Sequence, residues 1–290
     1  MEKQIKQNIL VLGVGGMAGH VIATYLREAG HKVTTLSAHN KLDDNTKLVD
    51  VTDKPALETF LNNNTYDVIV NAIGLLVKIS EERKDLASYI NSYLPHQLEQ
   101  KFKDSSTKII HLSTDCVFSG ENGPYNERSL LDGELFYDRS KALGEIINDK
   151  DLTFRMSIVG PDMQKSGIGL FNWFYSQHGT ISGFTKAMWN GITTIELAKA
   201  INQAVADDLT GLYHLVPNEN ISKFELLKLF KSTFNRADID ITADDRAAPD
   251  KTLINTRTDF DHEVPSYPVM IQEMKSWIDT HTTLYGHYEK

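Results

Sequence analysis

The seven residues Gly13-Val14-Gly15-Gly16-Met17-Ala18-Gly19 constrain the fold more than any other part of the chain. They follow an apolar run, Asn8 to Leu12, that reads as a buried parallel strand. They open a segment, Met17 to Ala29, in which Val21, Ile22, Tyr25 and Leu26 fall at helical spacing before Gly30 offers a C-terminal cap. The loop reads as G-x-G-x-x-A on Gly13, Gly15 and Ala18, or as G-x-x-G-x-x-G on Gly13, Gly16 and Gly19. Without a Cβ, backbone N–H groups at a helix N-terminus can come close to a pyrophosphate. Between a first strand and a first helix, such a loop predicts a dinucleotide site; elsewhere it would be only a tight turn.

The alternation continues. Lys32 to Leu36 and Lys47 to Val51 read as strands, and Lys54 to Asn62 as a helix opened by Thr52 or Asp53. Asp67 to Asn71 is a strand, Asp85 to Phe102 a long helix, and Lys108 to Ser113 a strand. Tyr137 to Asn148 reads as a helix and Leu152 to Met156 as a strand. This order predicts an α/β fold, a Rossmann-type doubly wound parallel sheet over residues 1–160. After Gly160 the rhythm changes to helical stretches (Leu170 to Gln177, Ile195 to Ala206, Lys223 to Phe234, Val269 to Thr280) between polar loops. Residues 161–290 are expected to form mainly a smaller α+β substrate-binding cap, with a segment around 190–210 returning to the first domain.

A formal charge of −9 argues against a nucleic-acid partner, which needs clustered Lys and Arg. Cys116 is the only cysteine, so no intrachain disulfide is expected, and no metal-ligand spacing of His, Cys and Asp stands out. The apolar run from Ile9 to Val14 is too short to span a membrane, and Met1 to Gln4 lacks the layout of a secretory signal. The expectation is a cytoplasmic protein with no membrane partner.

Rossmann sites usually bind the adenosine ribose through an acidic residue at the end of the second strand. Here that stretch, Thr35 to Asn40, holds no Asp or Glu. The hydroxyl, imidazole and amide groups of Ser37, His39 and Asn40 could instead receive a 2′-phosphate, so NADP(H) is favoured and NAD(H) stays open. Tyr137 and Lys141 are four apart, on one helix face. A neighbouring ammonium lowers the pKa of a phenol and can also hold nicotinamide ribose hydroxyls. Ser113 and Thr114 end a central strand at the edge where such sheets bind ligands, and the Thr114 hydroxyl can bond a carbonyl becoming an alkoxide. Capping of the strand end is the plainer role for Thr114. His111, inside that strand, reads as a packed core residue.

Taken in order, these pieces resemble the extended short-chain dehydrogenase/reductase superfamily, and within it the dTDP-4-dehydrorhamnose reductase-like nucleotide-sugar reductases. The likeness runs through the Gly13 loop, Leu48 to Asp53, Asn71-Ala72, Asn91, Ser113-Thr114-Asp115-x-Val117-Phe118-x-Gly120, Pro124-Tyr125-x-Glu127, Tyr137-x-x-Ser140-Lys141-x-x-Gly144-Glu145 and Arg155. The resemblance implies that Tyr137 protonates a sugar C4 oxygen, that Lys141 tunes it and binds ribose, and that Thr114 orients the carbonyl. It implies a water relay behind Lys141 supported by Asn91. Cofactor contacts are implied for Gly13, Gly15, Gly16, Met17, Gly19, Asp50, Val51, Asn71, Ala72, Ile73 and Ser113. Substrate contacts are expected from Thr114, Asp115, Cys116, Phe118, Arg155, Lys186 and Trp189, with Trp173, Phe174 and Phe184 nearby as aromatic platforms for a base.

Departures matter. Cys116 stands where dehydrorhamnose reductases have Tyr, so a different substrate pocket is expected. The related 4,6-dehydratases carry an Asp-Glu pair after the Thr; here Cys116 follows Asp115, which disfavours dehydration. The reading is therefore NAD(P)H-dependent reduction of the C4 ketone of a UDP- or dTDP-linked 4-keto-6-deoxy sugar, for the deoxy-sugars of surface polysaccharide. An epimerase with bound NAD and a non-catalytic dinucleotide-binding regulatory subunit remain open, and a homodimer is the default assembly.

Overall fold

The computed structural model describes residues 6–288. Its first half runs β1 (Asn8–Leu12), α1 (Met17–Glu28), β2 (Lys32–Ser37), β3 (Lys47–Leu48), α2 (Lys54–Asn62), β4 (Val68–Asn71) and α3 (Val77–Glu82). Then come α4 (Lys84–Ala87), a π-helical turn (Ser88–Tyr93), α5 (Leu94–Phe102), β5 (Lys108–Thr114), α6 (Phe136–Ala142) and β6 (Leu152–Met156). The second half contributes β7 (Ile158–Val159), α7 (Leu170–Tyr175), β8 (Gly179–Phe184), β9 (Met188–Trp189), β10 (Ile192–Thr193) and α8 (Thr194–Ala206). It continues with β11 (Gly211–His214), β12 (Ile221–Ser222), α9 (Lys223–Thr233), β13 (Ile239–Asp244), α10 (Tyr267–Thr280) and α11 (Thr282–Tyr285).

Seven strands form one parallel sheet in the order β3-β2-β1-β4-β5-β6-β11. The chain starts in the middle, winds outward to β3, then returns to build the other half, as in a Rossmann-type doubly wound sheet. Side chains alternate across each strand. Ile9, Val11, Val70 and Ile110 face α1, α8 and α10 in one core; Leu10, Leu12, Ile69 and Ile109 face α2 and α5 in the other. Strand β11 comes from the second half of the chain and closes the sheet beside β6. The smaller α+β part pairs β8 with β13 in parallel and β9 with β12 in antiparallel, and packs Phe230 of α9 on Phe171 and Phe174 of α7. Among the described residues, no helix is long and apolar enough to cross a membrane.

Several boundaries differ from expectation. Strand β3 is two residues long, because a turn at Val51-Thr52, closed by the Asp53 N–H on the Asp50 carbonyl at 3.0 Å, leads into α2. Of the two caps expected for α2, Asp53 serves, accepting from the Ala56 N–H at 3.0 Å. The helix expected to reach Asn148 stops at Ala142, and Glu145 turns inward to a buried arginine. The long helix is interrupted by the π turn that carries Asn91.

Candidate active site

Gly16 is the N-cap of α1, which has no side-chain cap and no acidic residue in its first turn. The first N–H groups of the helix are left for an anion. A Cβ built on Gly16 meets only the Gly13 carbonyl oxygen, at 3.5 Å, so the space beyond it is open. Gly19 differs: its Cβ would lie 2.2 Å from that same oxygen. Gly19 therefore lets α1 pack on the loop and does not itself face the cleft. The Gly16 carbonyl is pinned from behind by His20 Nδ1 at 2.8 Å, and His20 Nε2 meets the Tyr285 hydroxyl at 2.7 Å. Burial keeps the His20 pKa low, so the imidazole bridges these groups in neutral form.

From this loop one arm of a cleft, about 450 Å³, runs past Ser37, His39, Asp50, Val51, Ala72 and Ile73. It fits the adenosine half of a dinucleotide by size and by its glycine floor of Gly13, Gly15 and Gly16. Asp50 accepts from the Thr52 N–H at 2.9 Å and its hydroxyl at 2.8 Å, which hold its carboxyl below the usual range. Among the described residues, no Lys or Arg lines this arm.

The second arm, about 560 Å³, shares Gly15, Gly16, Ala72 and Ile73 with the first. It brings Met17, Ser113, Thr114, Asp115, Cys116, Tyr137 and Lys141 together. Thr114 and Ser113 are delivered by the end of β5, and Tyr137 and Lys141 by successive turns of α6. The Thr114 hydroxyl donates to Asp115 Oδ1 and accepts from the Cys116 N–H, both at 3.1 Å. Burial raises the Asp115 carboxyl and pushes the Cys116 thiol up to about 12. Tyr137 is also raised: burial is the main cause, the neighbouring Cys116 adds to it, and a hydrogen bond with Thr114 opposes it. The lowering expected from Lys141 is not found. Lys141 Nζ donates to the Leu112 carbonyl at 2.7 Å, and burial holds its own pKa down to about 8 against the pull of Glu145.

Seven of the residues expected at the site do not line the cleft. Besides Gly19, Asn71 is fully buried behind the wall, where its Oδ1 accepts from the Ile73 N–H. Asn91 is fully buried too; its amide donates to Leu75 O, Ser80 Oγ and Ser140 Oγ and accepts from the Leu75 N–H at 2.8 Å. It ties the loop after β4 to α6. Phe118 stacks on Tyr125 in the core, and Trp189 donates to Ser157 Oγ from behind the cleft. Lys186 is exposed away from it. Among the described residues, no Trp or Phe lines either arm, so the aromatic platform expected for a base is not found there.

Arg155 is the clearest correction. Only 1% exposed, it holds Glu145 through Nε at 2.8 Å and Nη2 at 2.5 Å, and faces His214 Nε2 at 2.8 Å. Ser113 donates to the same carboxylate, so the pair braces the cleft floor from below. Arg155→Met is expected to cost about 3–5 kcal/mol of stability, because it strands a buried carboxylate. Chemical denaturation checks this; a raised substrate KM at full stability would put Arg155 back in the cleft.

The sequence reading missed the segment from Asp162 to Gly169, of which Asp162, Gln164, Ser166 and Ile168 line the second arm. It also missed Thr52 at the first arm. The only available signal was the Gly167-x-Gly169 pair after the last strand of the first half.

The sheet order and the glycine cradle at an uncapped helix define an α/β protein of the dinucleotide-binding class. Within that class the chain belongs to the RmlD substrate binding domain family, whose profile matches residues 7–253. It is similar to the probable low-salt glycan biosynthesis reductase of Haloferax volcanii, 32% identical over 51% of this chain and 52% of the relative. It is 30% identical to the dTDP-4-dehydrorhamnose reductase of Mycolicibacterium smegmatis, over 48% of this chain and 40% of that one. The chain thus matches about half the length of these curated relatives, or less. A solved structure described as a hypothetical dTDP-4-dehydrorhamnose reductase from Sulfolobus tokodaii superposes with a TM-score of 0.74 at 27% identity, covering 90% of this chain and 98% of the other.

Proposed function

We propose that the protein is an NAD(P)H-dependent reductase of the C4 ketone of a nucleotide-linked 4-keto-6-deoxy sugar, acting in the synthesis of surface-polysaccharide deoxy-sugars. The observation that carries the reading is the convergence of Thr114, Tyr137 and Lys141 with Gly16 and Met17 on one cleft. The names of the relatives support it. On this reading residues 1–160 hold the cofactor and residues 161–290 supply most of the substrate cap, including the Asp162 to Gly169 wall. It is a cytoplasmic enzyme, with a homodimer as the default assembly.

Gly16 and Lys141 would hold the reduced nicotinamide cofactor, which when bound would supply the hydride for C4. The chain itself handles the proton. Because burial favours the neutral phenol, Tyr137 is protonated at neutral pH and suited to donate. As the ketone gains negative charge, the Tyr137 O–H passes its proton to the C4 oxygen, giving the alcohol. The Lys141 ammonium then offsets the charge left on the phenolate. The Thr114 hydroxyl exchanges Asp115 for the carbonyl oxygen and strengthens its bond as the alkoxide forms.

NADPH oxidation against a panel of dTDP- and UDP-4-keto-6-deoxy sugars tests the reaction; no turnover with any member sinks it. The cofactor arm yields a separate expectation. With no carboxylate at the end of β2, NADPH should be used at least as well as NADH, compared as kcat/KM. A preference for NADH of about a hundredfold, or about 2.7 kcal/mol, would contradict this.

A further inference from the structure

Behind the cleft wall, Asn71 on β4, His111 on β5 and Lys141 on α6 stand in a buried row. The Ile73 N–H donates to Asn71 Oδ1 at 3.2 Å and so fixes which way the amide faces. Its Nδ2 is turned to His111 Nδ1, 3.2 Å away. An amide nitrogen only donates, so Nδ1 must accept, and a neutral imidazole then carries its proton on Nε2. The ring is neutral, because burial first and the Lys141 charge second hold its pKa well below the usual value. Nε2 lies 3.5 Å from Lys141 Nζ. An ammonium cannot accept a hydrogen bond, so two donors face each other there. Within the protein, Lys141 is left with the Leu112 carbonyl.

We propose that His111 is a positioning residue for Lys141: fixed by Asn71 with its proton on Nε2, it denies the ammonium a second internal acceptor and sets the pH at which Lys141 loses its charge. The other protons of the ammonium are thereby kept for acceptors in the cleft, such as ligand hydroxyls. The inference rests on the reading of Lys141 as the partner of Tyr137. The other titratable groups around the row are few. Glu145 acts on Lys141 and favours its charge, Tyr137 lies one turn back on α6, and His96 on α5 acts on His111. Asn71 and Leu112 do not titrate.

The test is nitrogen-15 spectroscopy of the histidine-labelled full chain, with pH profiles of kcat/KM. His111 is expected to stay neutral with its proton on Nε2 from roughly pH 5 to 9, spanning the ordinary imidazole titration. A proton on Nδ1 overturns the proposal, whether or not the protein turns over any sugar. Asn71→Asp gives Nδ1 an acceptor, so the proton should move there and leave the Nε2 lone pair facing Lys141. The basic limb of the profile, expected near pH 8 in the unsubstituted protein because burial lowers Lys141, should then rise by about one unit or more. The double variant His111→Phe/Asn71→Asp keeps the new charge without the imidazole, and its limb should rise by less than half as much. Equal shifts in the two would show that charge alone acts, and would overturn the assignment. If the Asn71 variants fail to fold, the tautomer seen in the unsubstituted protein decides. Full turnover in Tyr137→Phe would remove the catalytic reading while leaving that tautomer legible.

Discussion

Tyr137→Phe is expected to lower turnover about 100- to 10,000-fold, the usual cost of losing a positioned general acid. Only the phenolic oxygen is removed. The ring is 8% exposed and stays packed at the start of α6, so stability and cofactor affinity should change little. The Thr114 hydroxyl holds the same oxygen but, as an aliphatic alcohol, is a weaker acid than a phenol and does not replace its proton. Steady-state kinetics beside calorimetric cofactor binding check both halves of the expectation. A variant that keeps more than about a tenth of the activity would mean that the Tyr137 and Lys141 spacing is fortuitous and that the cleft only binds.

Gly16→Val should weaken dinucleotide affinity by more than about a hundredfold, or about 2.7 kcal/mol, in a protein that still folds. The two halves of this expectation come from one geometry. At φ −100° and ψ 170° the backbone of Gly16 suits a branched residue, and the added Cβ meets nothing nearer than 3.5 Å. The new side chain would therefore occupy space that a pyrophosphate needs at the start of α1. Substitution at Gly19 could not make the same point, since its Cβ would strike the Gly13 carbonyl at 2.2 Å and disturb the helix itself. Binding by calorimetry and circular dichroism together decide. Unchanged affinity in a folded variant would place the cofactor elsewhere.

The first half of the fold was legible because its signals are local. The strand before Gly13 is a continuous apolar run, and the helix after it keeps its period to Leu26. The elements that escaped depend on distant partners. Strand β11, Gly211 to His214, has little pattern of its own and is a strand because β6 lies beside it. The π turn at Ser88–Tyr93 adds a one-residue slip that a helical period averages away. Helix α3 leaves Val77 and Ile79 largely exposed, so it has no apolar face to announce it.

The site divides along the same line. Gly16 was found by the spacing of its loop, Tyr137 and Lys141 by their spacing on one helix, and Thr114 by its place at the end of a central strand. Arg155 was misplaced because residue type alone cannot show a partner. Its strand neighbour His214 and its counter-ion Glu145 are brought to it only by the sheet and the turn after α6. Phe118 and Trp189 were misjudged in the same way, as aromatic side chains serve cores and ligands alike.

The contact between His20 and Tyr285 bears on how the chain comes into being. It joins residues 265 positions apart, and it backs the carbonyl of Gly16. On the ribosome, at roughly 5–20 residues per second, roughly tens of seconds separate the emergence of the loop from that of its brace. Until Tyr285 is made, the glycine turn has its strand and its helix but lacks the hydroxyl behind His20. On the proposed reading, a dinucleotide met by a nascent chain would find a looser cradle than the finished one, and full affinity would come late in synthesis.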